Sequence, residues 1–218
     1  MQILFEDQDL LVVNKPAGLS TESGTAAHPS AEKEALAMYR RQLDAEGSRL
    51  RLTPYLRAVH RLDRASSGVL VLAKSKAALS DLMRQFEDRS VEKIYQARVQ
   101  QALPETQGSL QHWLKRDESG KRALVFDVAM PEAQPCRLDY KTLEVKEGEV
   151  LLEIRPKTGR FHQIRAQLAH VGAPIIGDEW YGGAAWRPHE MLLHAVSLAF
   201  VHPRSGQKMM IEAPWRSG

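Results

Sequence analysis

Short apolar and alternating runs, separated by turn signals, fill most of the chain, with a few helical periods between them. Residues 3–5 and 10–13 read as strands flanking the polar turn Asp7-Gln8-Asp9. Ser30 is placed to cap a helix over roughly residues 31–45, where Leu36, Tyr39 and Leu43 recur at helical spacing and Gly47 marks the stop. Residues 69–73 form a continuous apolar segment between Gly68 and Lys74, the pattern of a strand buried on both faces. Ser75 then caps a second helix to about Glu87, with Leu79, Leu82, Met83 and Phe86 as its predicted buried face. Residues 91–99 alternate, which puts Lys93, Tyr95, Ala97 and Val99 on one side of a strand. Turn signals at Pro104, Gly108, Gly120 and Pro131 divide residues 100–136 into short strands with no evident chemistry. A hairpin about Glu147-Gly148 joins residues 137–145 to 150–155. Thr158 reads as the cap of a third helix, in which Phe161, Ile164, Leu168 and Val171 recur until Gly172. Strands over 192–200 and 208–212 close the chain.

Composition narrows the class without fixing it. A chain of 218 residues can bury a substantial core, and a single domain over residues 1–218 is the expectation. No stretch is apolar and long enough to span a membrane, and the N-terminus lacks a basic, then apolar, leader. One cysteine, Cys136, leaves no internal disulfide and no cysteine zinc cluster, so a reducing cytoplasm is the default setting. The net charge of +3 permits a polyanionic partner. Its distribution says more: Arg49, Arg51, Arg57, Arg61 and Arg64 crowd together, with Asp63 the only acid among them. Such a field attracts phosphates.

Two stretches concentrate the candidate chemistry. The first is His60-Arg61-Leu62-Asp63-Arg64-Ala65-Ser66-Ser67-Gly68, running into the apolar strand and ending at Ala73-Lys74. The second is Thr158-Gly159-Arg160-Phe161-His162-Gln163-Ile164-Arg165, where His162 and Arg165 are helical neighbours three apart. Around them, in order, stand Asn14-Lys15-Pro16-Ala17-Gly18-Leu19, Lys93-Ile94-Tyr95-Gln96-Ala97, Gly172-Ala173-Pro174-Ile175-Ile176-Gly177-Asp178, Leu192-Leu193-His194-Ala195 and His202-Pro203. This ordered set closely resembles the motifs of the RluA-type pseudouridine synthases, from about Asp9 to Pro203. Ser66 stands where Thr is commoner in that family, which keeps the hydroxyl. Motifs that begin near residue 10 leave no room for the S4-like RNA-binding domain many members carry. The last three motifs, from Gly172 onward, are expected to be mainly structural.

The resemblance implies an α+β fold with a bent, largely antiparallel sheet, flanking helices and a central cleft. It implies an isomerase that breaks the C1′–N1 bond of a uridine in ribosomal or transfer RNA and rejoins the base through C5. No cofactor or metal is implied, in keeping with the missing glycine fingerprint and the scattered histidines. Asp63 corresponds to the catalytic carboxylate, acting on C1′ as a nucleophile or removing the 2′-hydrogen. Arg165 is the basic partner expected to favour its charged form. Tyr95 is expected beneath the uracil and at the C5 proton. Arg61 is placed to fill the space of the flipped base, and Arg64, Arg160 and His162 are the further RNA contacts.

Other readings fit less of the chain. A kinase-like use of the His-Arg-Leu-Asp stretch lacks the glycine-rich loop and Asp-Phe-Gly, and a serine hydrolase on Ser66 or Ser67 lacks its nucleophile elbow. The remaining rival is a non-catalytic RNA-binding or ribosome-assembly protein of the same fold. A monomer is the default oligomeric state.

Overall fold

The structure is a computed structural model, and it describes residues 1–22, 28–45 and 54–215. In chain order the elements are β1 Gln2–Glu6, β2 Leu10–Lys15, α1 Ala31–Ala45, β3 Arg57–Ala58, β4 Ser67–Ala73, α2 Lys76–Glu87, β5 Glu92–Val99, β6 Gln107–Arg116, β7 Ala123–Phe126, β8 Gln134–Lys146, β9 Glu149–Pro156, α3 Gln163–His170, β10 Leu193–Val201 and β11 Lys208–Glu212. Strands that pair in sheets and segregated helices make this an α+β fold. The chain forms two compact units, one from residues 1–92 with 195–218, the other from 93–194. Among the described residues no helix is long and apolar enough to cross a membrane.

In the first unit the strands lie in the order β1-β2-β4-β10, with β11 on β10 and the short β3 on β4. β2 and β4 run antiparallel from Leu10 opposite Ala73 to Lys15 opposite Gly68. Both strands are buried almost throughout, which explains their continuous rather than alternating apolar character. Leu10, Val12, Val69, Val71, Leu82 and Phe200 belong to one core cluster beneath α2. The caps fall as expected: the Ser30 hydroxyl accepts from Lys33 N at 3.3 Å and Ser75 accepts from Ala78 N. The α2 face differs by one position, since Met83 is exposed and Gln85 is buried. The Gln85 side-chain amide pairs both ways with the Val201 backbone, at 2.8 and 2.9 Å, and so takes the inward place. Gly47, Arg49 and Arg51 lie outside the described residues.

The second unit holds β5-β9-β8-β6-β7, each neighbouring pair antiparallel. The β8–β9 hairpin turns through Glu147 and Gly148, with φ of 55° and 82°, the two left-handed residues of a type I′ turn. β6 and β8 are longer than the turn signals suggest and pair from Gln107–Lys141 to Leu114–Gln134. The third helix is shorter than expected. α3 starts at Gln163, with His162 before it in the left-handed region at φ 52°. Thr158 does not cap it; its hydroxyl donates to Gln163 Oε1 at 2.7 Å and accepts from Arg137 N at 3.0 Å. A hydroxyl committed to β8 and to a side chain is no longer available to the helix start.

Lys15 fixes the loop that precedes β4. Its side chain is wholly buried, and its Nζ donates to the carbonyls of Pro16, Leu19 and Ser66 at 2.9, 2.8 and 2.6 Å. An ammonium has three hydrogens to give, so these acceptors use all of them. Burial pushes the amine down to about 8, against the pull of the Asp63 carboxylate, which holds it up. In the unfolded chain a lysine keeps its proton to roughly pH 10.4. Between these values the unfolded state binds more protons than the folded one, so stability gains with rising pH. Relative to Lys15→Met, the wild type is expected to gain up to about 3 kcal/mol between pH 8 and 10.4. Urea midpoints of both proteins across that range check this; parallel curves would refute it.

Gly68, opposite Lys15, has φ +118°, and a Cβ there would meet the backbone of Ala195. Gly68→Ala therefore combines a left-handed penalty with overpacking, and a loss of roughly 3 kcal/mol or more is expected in urea unfolding. Gly148→Ala is the control, because its φ is +82° but nothing lies within 4 Å. It is expected to lose only about 1 kcal/mol.

Candidate active site

Asp63 sits half-buried in the loop between β3 and β4, and several bonds that hold this loop come from the sequence motifs or their near neighbours. Where β3 ends, Val59 N still donates to Val71 O, and His60 Nε2 then accepts from Val71 N at 3.2 Å. His60 thus replaces the backbone carbonyl that a continuing strand would offer. Its ring stacks on Phe86 of α2 with centroids 4.9 Å apart. Thr21 grips Leu62 from both sides: its hydroxyl donates to Leu62 O at 2.8 Å and accepts from Leu62 N at 3.0 Å. Beyond Asp63 the chain turns, with both the backbone N and the hydroxyl of Ser66 donating to Asp63 O. Lys15 then holds Ser66 O. The Asn-Lys-Pro stretch and the His-Arg-Leu-Asp stretch are therefore two halves of one fixture.

The cations of this unit divide by partner. Arg57 is neutralised by Glu32 of α1 at 2.7 Å, and the other Glu32 oxygen accepts from Ala58 N. In the sequence Arg57 stands in an acid-poor cluster, but an acid twenty-five residues away in the chain folds onto it. Arg64 Nε donates to Gly18 O at 3.0 Å, leaving its Nη groups toward solvent on an exposed side chain. Arg61 is exposed, and no acid pairs with it among the described residues.

In the second unit Tyr95 is half-buried on β5, opposite Ile154 of β9, with Ala97 and Val99 buried further along the strand. Arg165, in the first turn of α3, is 8% exposed. Its Nε and Nη2 donate to the two carboxylate oxygens of Asp178, at 2.6 and 2.8 Å. This bidentate geometry fixes the plane of the guanidinium. The Tyr181 ring lies against the same guanidinium, 5.1 Å from centroid to Cζ. Tyr181 Oη accepts from Ala123 N at 2.6 Å and lies 3.1 Å from His162 Nδ1. His162 itself stacks on Phe161 with centroids 3.8 Å apart. His162 and Arg165 are thus brought together through Tyr181, and not as neighbours on one helix face. Arg160 lies just before them, its Nε donating to Pro135 O at 3.3 Å.

Asp178 belongs to a motif expected to be structural, and the structure gives it a sharper place. It is 3% exposed and ends a tight loop. Gly177 at φ +87° packs so closely on Glu190 and Met191 that no Cβ fits. Asp178 N donates to Ile175 O, while Asp178 O accepts from Tyr181 N and Gly183 N. The sequence carries a signal for it: an acid directly after a glycine, followed by Tyr181-Gly182. What the sequence does not print is which cation it meets.

Two clusters of histidine and carboxylate occur among the described residues. In one, His202 Nδ1 accepts from the backbone of Arg204 and Ser205, so its proton is on Nε2, toward Asp7 at 2.8 Å. Arg204 meanwhile holds Asp9 through two bonds. In the other, Gln167 Nε2 faces His112 Nδ1 at 3.0 Å, and burial pushes His112 toward its neutral form. That arrangement likewise leaves the His112 proton on Nε2, facing Asp127. In the first cluster the ring nitrogen nearest the carboxylate thus carries a hydrogen, while in the second the contact nearest Asp127 is His170 Nε2 at 2.8 Å.

Comparison with known proteins places this arrangement. Residues 9–170 match the family described as RNA pseudouridylate synthase. A ribosomal large subunit pseudouridine synthase C of Yersinia pestis is 36% identical, over 97% of this chain and 65% of its own length. An uncharacterized RNA pseudouridine synthase of Bacillus subtilis is 33% identical, over 99% of this chain and 68% of its own. The chain thus spans about two thirds of the length of these curated relatives. Among solved structures, human RNA Pseudouridylate Synthase Domain Containing 4 superposes with a TM-score of 0.78 at 23% identity, covering 99% of this chain and 89% of that one, which bears on fold alone. The match across most of the chain, in the order of the motifs that build the Asp63 loop and the Arg165 cluster, shows that this protein belongs to the RluA-type RNA pseudouridylate synthase family.

Proposed function

We propose that the protein is an RNA pseudouridine synthase and that large-subunit ribosomal RNA is its substrate. The observation that carries this reading is the Asp63 loop. A carboxylate is held half-buried by Thr21, Ser66 and Lys15, on the segment that corresponds to the family's catalytic motif. The named relatives support the ribosomal assignment, since their names specify the large ribosomal subunit. The two units act as one catalytic domain, a reading supported by a family match that runs through both. A single chain suffices, because every residue of the proposed set lies on one polypeptide, and the ribosomal names of the relatives favour a cytoplasmic setting.

In this reading Asp63 attacks C1′ of the target uridine, or takes its 2′-hydrogen, as the glycosidic bond breaks. Arg165 is the cationic member of the set, and Asp178 sets the plane in which its guanidinium is offered. Tyr95 supports the detached uracil and assists loss of the C5 proton after the new bond forms. Arg61, exposed beside Asp63, takes the place of the extruded base, for which a planar guanidinium is suited. Arg64, Arg160 and His162 contact the surrounding RNA.

The direct test is tritium release from RNA labelled at uridine C5, because C5 exchanges its hydrogen for the bond to C1′. Wild-type protein is expected to release tritium from total ribosomal RNA, and Asp63→Ala to fall to background. Release from transfer RNA alone would overturn the substrate assignment. RNA binding with no release from either pool would favour the non-catalytic reading.

Asp178→Asn tests the positioning of Arg165. The amide keeps the shape of the side chain but offers one acceptor where the carboxylate offered two. A misaimed catalytic partner costs roughly a hundredfold. The turnover rate is therefore expected to drop by about that factor while RNA affinity holds. Unchanged turnover in a variant with merely a lowered melting temperature would reduce Asp178 to a packing role.

A further inference from the structure

Residues 107–137 have no place in the proposed catalytic set, yet they carry Arg116, Lys121 and Arg122 as exposed cations. The β6–β7 turn is closed by Asp117: its Oδ1 accepts from the backbone N of Lys121 and Arg122, and its Oδ2 from the Ser119 hydroxyl. Those hydrogen bonds hold the Asp117 carboxylate below its usual range and direct it at the backbone. The Lys121 and Arg122 side chains are left exposed. Arg116, also exposed, lies over the Phe161 ring at 4.2 Å. Among the described residues no acid forms an ion pair with Arg116, Lys121, Arg122 or Arg160, although Lys115 beside them is taken up by Glu132 at 2.5 Å.

These cations border two cavities that meet at Ala123. One, of about 350 Å³, is lined by Lys115, Arg116, Glu132, Arg160 and Phe161. The other, of about 530 Å³, is lined by Arg122, Leu124, Glu179, Trp180 and Tyr181. Trp180 is 49% exposed, unusual for so large an aromatic side chain. Guanidinium groups without an acid partner beside the half-exposed Trp180 ring suit a single nucleic-acid strand: phosphates need the cations, and a base needs a flat surface on which to stack.

We propose that the β6–β7 hairpin face is a second docking surface for the substrate RNA, taking a single-stranded segment outside the reacting uridine. Phosphates lie on Arg116, Lys121, Arg122 and Arg160, and a base enters the cavity beside Trp180. This rests on RNA being the substrate.

The test is the salt dependence of binding to a short oligouridylate, measured for the wild type, Arg116→Ala, Arg122→Ala and Arg116→Lys. Each lost phosphate contact on a single strand lowers the slope of log K against log salt by about 0.7. Both alanine variants are expected to show that decrease and several-fold weaker binding, with the maximal rate of tritium release retained. Arg116→Lys keeps the charge and should keep the slope. The side chains replaced are exposed, and unchanged urea midpoints verify the fold. Wild-type slopes and affinities in both alanine variants, in protein that still releases tritium, would overturn this surface and leave the catalytic reading intact. Lowered slopes in protein whose wild type releases no tritium would support the surface while removing the catalytic reading.

Discussion

The Asp63 loop depends on one buried ammonium. Lys15 has no carboxylate in direct contact; its Nζ is met by three backbone carbonyls from two segments, one of them Ser66 O just beyond Asp63. A charge buried in this way is costly unless every donor is used. Here that cost works as a constraint, because a displaced Ser66 carbonyl would strand a lysine hydrogen inside the protein. Gly68 completes the constraint from the far side, where only a hydrogen fits against Ala195. The loop can therefore be polar, carry Asp63 and two exposed arginines, and still be as fixed as the strand it feeds.

Much of this is legible in the sequence, for a reason particular to each element. The run at 69–73 can be read because burial on both faces removes alternation, and the observed β4 adds only Ser67 and Gly68. Ser30 and Ser75 can be read as caps because their targets are three residues away in the chain. Thr158 misleads for the complementary reason. It looks like a cap locally, but Arg137 and Gln163 compete for its hydroxyl, and Arg137 is twenty-one residues off. Met83 misleads likewise, since the paired hydrogen bonds of Gln85 with Val201 outweigh the apolarity of a neighbour. Local signals predict local outcomes, and tertiary hydrogen bonds decide the rest.

The same distinction governs the site. Motif order points to Asp63, Tyr95 and Arg165 without stating how any of them is held. Asp178 shows the gap most clearly. Thirteen residues separate it from Arg165, with a helix end and a glycine turn between, so no spacing rule brings them together. The contact arises because Gly177 turns the chain back where no side chain could be accommodated. Arg165 is thereby given a fixed plane, with Tyr181 against its guanidinium and His162 beyond. A guanidinium meets a carboxylate through two parallel N–H groups, which fixes its plane as well as its position. A lysine in the same position could hold Asp178 but would fix no plane.

Charge is the quantity that composition describes least well in this protein. A net +3 suggests only mild basicity. Folding sorts the cations into those that hold the structure and those that do not. Arg57, Lys74, Lys115, Arg165 and Arg204 are each met by an acid at 2.7 Å or less. Arg61, Arg116, Lys121, Arg122 and Arg160 are met by none among the described residues. Paired charges cancel at short range, so the unpaired charges weigh most in the field that an approaching polyanion feels. Where local cations are left without an acid, a chain close to neutrality can present a surface that is locally cationic. For a protein that selects among polyanions, that division serves better than a uniformly basic composition would.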